Sequence, residues 1–261
     1  MTDEPTPPTN PPQIPAPAAQ VIRTATPPPS GFEPLEGGTA LSNILNKLLR
    51  KPLSLVHDLE NSEDGAKLPT RLILIAVLSL AVFGLVVGSF SAGSQLWAAP
   101  LKIVGGLIFS GLICLPSLYI FTCLGGLDAK FRTVAGLLCG LIALAGLLLV
   151  GFAPVVWLFS VSSNSIGFMG FLLVALWILC AGFGLMLVFR AGRALGMQSS
   201  GHLVIWCGVF LLVTLQMPTT LRPILGKSDQ LLNLEEKRFF LHYWTELMTA
   251  DIEEEEATRY E

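Results

Sequence analysis

Five long apolar runs of this chain contain no Asp, Glu, Lys, Arg or His. The runs are Leu72–Ser89, Ile103–Leu124, Val134–Phe159, Ile166–Phe189 and Leu203–Met217. Proton relays, ion-coupled transporters and voltage sensors generally need ionisable side chains at membrane depth. The serines within the runs also lack a neighbouring histidine or carboxylate that would activate them as nucleophiles. We therefore predict a protein that is not an enzyme and that has no catalytic residue, no cofactor and no metal site.

Cysteine is absent from every segment outside these runs. All five cysteines lie inside them, at positions Cys114, Cys123, Cys139, Cys180 and Cys207. A disulfide framework would place cysteines in the aqueous segments, so we expect these thiols to be structural. The sequence also lacks an HExxH, GxSxG, CxxC or phosphate-loop motif. The net charge of −3 is too small to indicate a nucleic-acid partner.

The apolar runs themselves predict membrane-spanning helices. A helix needs about 20 apolar residues to cross a hydrocarbon core of about 30 Å, and backbone groups find no water there. Charged residues make up only 13% of the chain, against roughly 25% in soluble domains. We predict an all-α integral membrane bundle of five transmembrane helices over residues 71–225, in which the last run is the shortest.

Two pairs of glycines within the runs have the GxxxG spacing of close helix contacts. They are Gly84 with Gly88 and Gly136 with Gly140. In lipid, small residues let two backbones approach and pack by van der Waals contact. We expect these glycines to pack the helices of one chain, and the alternative is that one of these faces forms a homo-oligomer.

The segments before the first run divide into two parts. Residues 1–40 are rich in proline and poor in large apolar side chains, which predicts a disordered tail. Residues 41–70 contain LSNILNKLLRKPLSLVHDLE, which predicts short amphipathic interfacial helices with Lys47, Arg50 and Lys51 on the polar side. We call residues 41–60 the N-terminal arm. The arm either lies on the anionic cytoplasmic leaflet or packs under the bundle.

The distribution of basic residues predicts the orientation. They are frequent before the first run, between runs two and three and between runs four and five, whereas the loop between runs one and two has only Lys102, at its end. This alternation places the N-terminus in the cytoplasm of a multi-pass protein of the cell (cytoplasmic) membrane. Trp97 and Trp157 would then lie together at the opposite membrane interface, like an aromatic belt.

The C-terminal part, residues 226–261, is polar again. Its segment DQLLNLEEKRFFLHYWTELM, over residues 229–248, predicts an amphipathic helix with a broad aromatic side, which we call the C-terminal arm. An acidic tail follows it. We expect the C-terminal arm to lie at the membrane interface, and the alternative is that it binds a partner protein.

The segment NKLLRKPLSLVHDLE, followed by five glycine-rich runs, resembles bacterial members of the Yip-like (Ypt-interacting) family of multispanning membrane proteins. The resemblance covers roughly residues 41–225 and lies in the architecture of an N-terminal arm, an entry helix and clustered spans. The DLYGP-type motif of the eukaryotic members is absent. The resemblance implies a membrane-organising or trafficking factor and assigns no site residues.

These features together predict a non-catalytic integral membrane protein that organises membrane or partner proteins. Its partners would be the lipid bilayer and a protein bound through the two arms. The alternative is a channel or permease for a small or apolar solute. Pro116 and Pro154 can kink two of the spans, and such a kink either forms a small polar pocket near Ser117, Tyr119 and Thr122 or accommodates packing.

Overall fold

The computed structural model describes residues 41–61, 67–91, 95–128, 130–162 and 166–220 of the 261 residues. The described part of the chain is all-helical, without a strand. Its helices are α1 (Leu41–Arg50), α2 (Pro52–Asn61), α3 (Leu68–Ser91), α4 (Gln95–Leu124), α5 (Phe131–Ser162), α6 (Ile166–Ala194) and α7 (Gly201–Thr220). The tail predicted over residues 1–40 and the C-terminal arm lie outside the described residues.

Four of these helices are long and apolar enough to cross a membrane. Their candidate spans are Leu68–Ser89, Trp97–Leu124, Phe131–Ser162 and Gly167–Ala194. The chain is therefore a multi-pass membrane protein by the length and composition of its helices. The apolar part of α7, Gly201–Gln216, is shorter than these four, and its 16 residues rise only about 24 Å.

Helix α5 is the centre of the bundle, because it packs against α3 on one side and α6 on the other. Helix α4 packs against α3, and α7 packs mainly against α4. Gly146 of α5 lies beside Leu80 of α3, and Gly184 of α6 lies beside Leu141 of α5. Consecutive long helices alternate in direction, so the start of α3, the end of α4, the start of α5, the end of α6 and the start of α7 share one end of the bundle.

Two glycines end helices at this shared end. Gly126 after α4 and Gly196 after α6 have φ angles of 84° and 93°, which a residue with a Cβ adopts only with strain. Both helices close with the backbone bonds of a Schellman motif. The backbone N–H of Gln198 donates to the carbonyl of Gly125 at 3.0 Å. This bond joins the loop after α6 to the loop after α4.

The helices extend further than the charge-free runs. Helix α4 begins at Gln95 rather than at Ile103, so Lys102 lies inside the helix and is buried. The expectation that Lys102 belongs to the loop was therefore wrong. A charged residue ends an apolar run in the sequence, but a lysine disfavours a helix very little, and α4 continues through it.

Candidate functional site

The N-terminal arm packs against the shared end of the bundle and still exposes an apolar stripe. In α1, Ile44 and Leu48 are fully buried, and α1 contacts α3 and α5. Leu41, Leu45 and Leu49 are instead 42%, 36% and 52% exposed. Residues four apart lie on one side of a helix, so these leucines form a second stripe beside the buried one. Packing under the bundle thus accounts for only two of the five apolar side chains of α1.

The basic residues of α1 lie on the side of the helix away from this exposed stripe. Lys47 and Arg50 lie in its last turn, where a positive charge is favoured by the helix dipole. Arg50 and Lys51 are exposed, and Lys47 is half-buried. Pro52 follows at the first position of α2, where its missing N–H costs no hydrogen bond. The arm therefore presents leucines and positive charge together on one short helix.

Helix α2 is fixed to the bundle by a close contact with α5. A Cβ atom added at Gly136 of α5 would overlap the side chain of Leu59, which shows that Leu59 lies directly on this glycine. Leu55 and Val56 are buried beside it. Gly136 therefore packs a span against the arm, which is a contact that its GxxxG spacing alone did not indicate.

Two polar contacts join the same elements. The Oγ1 of Thr133 donates to Oε2 of Glu60 at 2.6 Å, and Nη2 of Arg132 donates to the carbonyl of Leu59 over a longer 3.4 Å. Thr133 lies in the first turn of α5, where the positive end of the helix dipole favours a nearby carboxylate. Glu60 thus adds an electrostatic contact to the apolar one, and the two hold α2 in a defined position.

The other predicted packing glycines lie within the bundle. A Cβ added at Gly84 of α3 would come within 2.5 Å of the Cα of Pro100 in α4, so the two backbones meet there. Gly88 is buried one turn further along. Gly140 has room, because a Cβ there would meet its nearest atoms, on Leu187 and Leu72, at 3.7 and 4.0 Å. Within this chain, Gly84, Gly136 and Gly140 lie at contacts between its own helices.

The two predicted interfacial tryptophans lie at the opposite end of the bundle from the arm. Trp97 is 77% exposed in the first turn of α4, and Trp157 is 56% exposed near the end of α5. Across the adjoining α5–α6 connection, Phe159 and Phe168 make an edge-to-face contact. The exposed tryptophans are consistent with a position at the membrane interface, where an aromatic ring is partly wet.

The polar groups next to Pro116 are used in helix packing. Nε1 of Trp206 in α7 donates to Oγ of Ser117 and to the carbonyl of Cys114, each at 3.2 Å. Ser117 also donates to Cys114, at 2.8 Å, and Thr122 donates to a carbonyl of its own helix. These contacts favour the packing interpretation over a polar pocket. Sequence reasoning did not single out Trp206, although a tryptophan N–H inside an apolar run usually needs a partner.

The described residues hold no group of three His, Cys, Asp or Glu side chains close enough to bind a metal ion. All five cysteines are free thiols, and only Cys123, near the end of α4, is exposed. No family model, curated protein or solved structure matches this chain. The candidate functional site is the N-terminal arm, because it combines an exposed apolar stripe, basic residues on the other side of α1 and a fixed docking to the spans.

Proposed function

We propose that this protein is a non-catalytic component of the cytoplasmic membrane that organises membrane or partner proteins through its two arms. The observation that carries the proposal is the N-terminal arm, which α2 fixes to the bundle and which exposes Leu41, Leu45 and Leu49 on one side of α1 and basic residues on another. A rigid surface of this kind suits stable binding. The resemblance of residues 41–225 to the Yip-like family belongs to the same proposal.

We further propose five spans with the N-terminus in the cytoplasm. Helix α7 packs along α4 through the contact at Trp206, and its full 20 residues rise about 30 Å. Basic residues at the arm end of the bundle include Lys67, Lys130 and Arg193, which suits a cytoplasmic position for that end.

The five-span topology predicts that the two termini lie on opposite sides of the membrane. Reporter proteins fused to the N-terminus and after residue 261 of the full chain are expected to report cytoplasm and exterior respectively. A fusion after Ser199, in the α6–α7 loop, serves as the control and is expected to match the first. A cytoplasmic signal from the C-terminal fusion would mean that α7 does not cross.

The proposed role predicts a stoichiometric partner and no solute flux. The full chain in liposomes is expected to pass ions and small apolar solutes no faster than protein-free liposomes. Flux that depends on the protein would instead support a channel or permease.

A variant can test whether the partner depends on the docked arm. Gly136→Leu is expected to displace Leu59 and α2, with an overpacking cost of about 1–3 kcal/mol, and to reduce recovery of a crosslinked partner from native membranes. Gly140→Ala is the control, since it has room for a Cβ. Equal recovery from wild type and Gly136→Leu would argue against the arm as the binding element.

A further inference from the structure

We infer that α1 is a lipid-binding element whose exposed leucines enter the acyl-chain boundary of an anionic leaflet. In this arrangement Leu41, Leu45 and Leu49 are immersed in lipid, while Lys47 and Arg50 contact headgroup phosphates. The inference rests on the proposed membrane-spanning organisation and names the lipid surface as a partner of the arm. It does not depend on whether a protein partner also binds.

The first argument is the division of the apolar side of α1 into two stripes. Ile44 and Leu48 pack α1 against the bundle, and both are almost fully buried. The three leucines beside them remain exposed, with Leu49 at 52%. Such a helix has one apolar stripe that packs against protein and an adjacent apolar stripe that is exposed. This arrangement fits a helix that lies where the bundle meets the surrounding lipid.

The second argument is continuity with the lipid-facing surface of the spans. Helix α1 packs against α3, and α3 exposes Leu74 and Leu78 within its candidate span Leu68–Ser89. Both residues lie in the N-terminal half of α3. The leucines of α1 therefore lie on a helix that contacts a span whose exposed leucines are expected to face acyl chains.

The third argument is charge. Lys47 and Arg50 lie in the last turn of α1, and long basic side chains can extend from an immersed helix to the headgroups. Further basic residues, including Lys67 and Lys130, belong to the same end of the bundle. Positive charge on the side of α1 away from immersed leucines complements the headgroups of an anionic leaflet, since each basic residue adds attraction to such a surface.

A photocrosslinker at position 45 tests the immersion of the leucine stripe. The full chain is placed in nanodiscs of phosphatidylcholine with phosphatidylglycerol, and benzoylphenylalanine replaces Leu45 or, as the control, Asn46. Both positions are exposed, but they face different sides of α1. We expect at least about fivefold more lipid adduct at position 45 than at position 46, measured by mass spectrometry of the protein.

Three outcomes would overturn the inference. Equal lipid adducts at the two positions would show that the leucine stripe is no closer to the acyl chains than the polar side of α1. An adduct from position 45 to another segment of the same chain would show that this chain covers the stripe. An adduct to a second copy would identify a homo-oligomer contact. If the protein inserts and binds its partner but gives any of these results, only the inference about lipid fails.

Charge removal tests the headgroup contact separately. Lys47→Gln with Arg50→Gln is expected to reduce the enrichment of phosphatidylglycerol among the adducts at position 45 by roughly tenfold. Arg190→Gln with Arg193→Gln removes the same charge from α6 and is expected to leave that enrichment nearly unchanged, because screening limits each charge to about 10 Å. An equal loss in both double variants would contradict a specific role for α1.

Discussion

Replacing Gly84 by alanine is expected to destabilise the bundle, whereas the same change at Gly140 is expected to be tolerated. The added Cβ at position 84 would lie 2.5 Å from the Cα of Pro100 and 3.0 Å from its nitrogen. These are backbone atoms, which cannot rotate away, so α3 and α4 must separate. Overpacking of this kind costs about 1–3 kcal/mol of unfolding free energy.

Gly140 is a matched control because it also lies in a GxxxG pair. Its added Cβ would meet only side-chain atoms at 3.7 and 4.0 Å, which is ordinary contact. Alanine also favours a helix over glycine by about 0.5–1 kcal/mol, so Gly140→Ala is expected to be neutral or slightly stabilising. Unfolding in mixed micelles, followed by helicity, measures both variants. Equal stability of the two would mean that α3 and α4 do not meet at Gly84.

Replacing Trp206 by alanine is expected to have the largest effect of any single change at the α4–α7 contact. Trp206 is fully buried, stacks on Phe210 with ring centroids 5.1 Å apart and donates to two oxygen acceptors of α4. Loss of a buried tryptophan side chain costs about 3–5 kcal/mol of unfolding free energy. Unfolding in mixed micelles, followed by helicity, measures this loss.

Two further variants separate packing from hydrogen bonding at this position. Trp206→Phe keeps a ring against Phe210 but removes the N–H, and it is expected to cost about 0.6–1.7 kcal/mol, the range for hydrogen bonds between membrane helices. Trp97→Ala changes a tryptophan that is 77% exposed and is expected to leave the unfolding free energy nearly unchanged. A loss at Trp97 as large as that at Trp206 would contradict the assigned packing of α7.

The positions of the long helices could be predicted from the sequence because the apolar runs are long and contain no charge. Their ends could not, since α4 continues through Lys102 and α6 continues to Ala194 before Gly196 stops it. Apolar composition reports which residues avoid water, whereas a helix ends where its backbone geometry changes. The predicted N-terminal location in the cytoplasm and the fifth crossing stay predictions.

The candidate site shows a second limit of the sequence. The amphipathic pattern of residues 41–60 was equally compatible with a membrane surface and with packing under the bundle, because both environments bury apolar side chains. The structure assigns Ile44 and Leu48 to the bundle and leaves Leu41, Leu45 and Leu49 exposed. The anchoring pair of Glu60 and Thr133 is 73 residues apart in the chain, so no local pattern could indicate it.

The sequence by itself indicated a helical membrane protein, because five apolar runs of this length without charge are unsuited to water, and a helix satisfies its backbone groups within lipid. Only the tertiary structure decided what each glycine contacts. Gly84 lies against the backbone of α4, Gly136 contacts Leu59 of the arm, and Gly140 has space for a Cβ atom. The reason is physical. The GxxxG spacing shows that two small residues lie on one side of a helix. The angle and distance at which two helices cross decide which atoms fill the space beside each glycine.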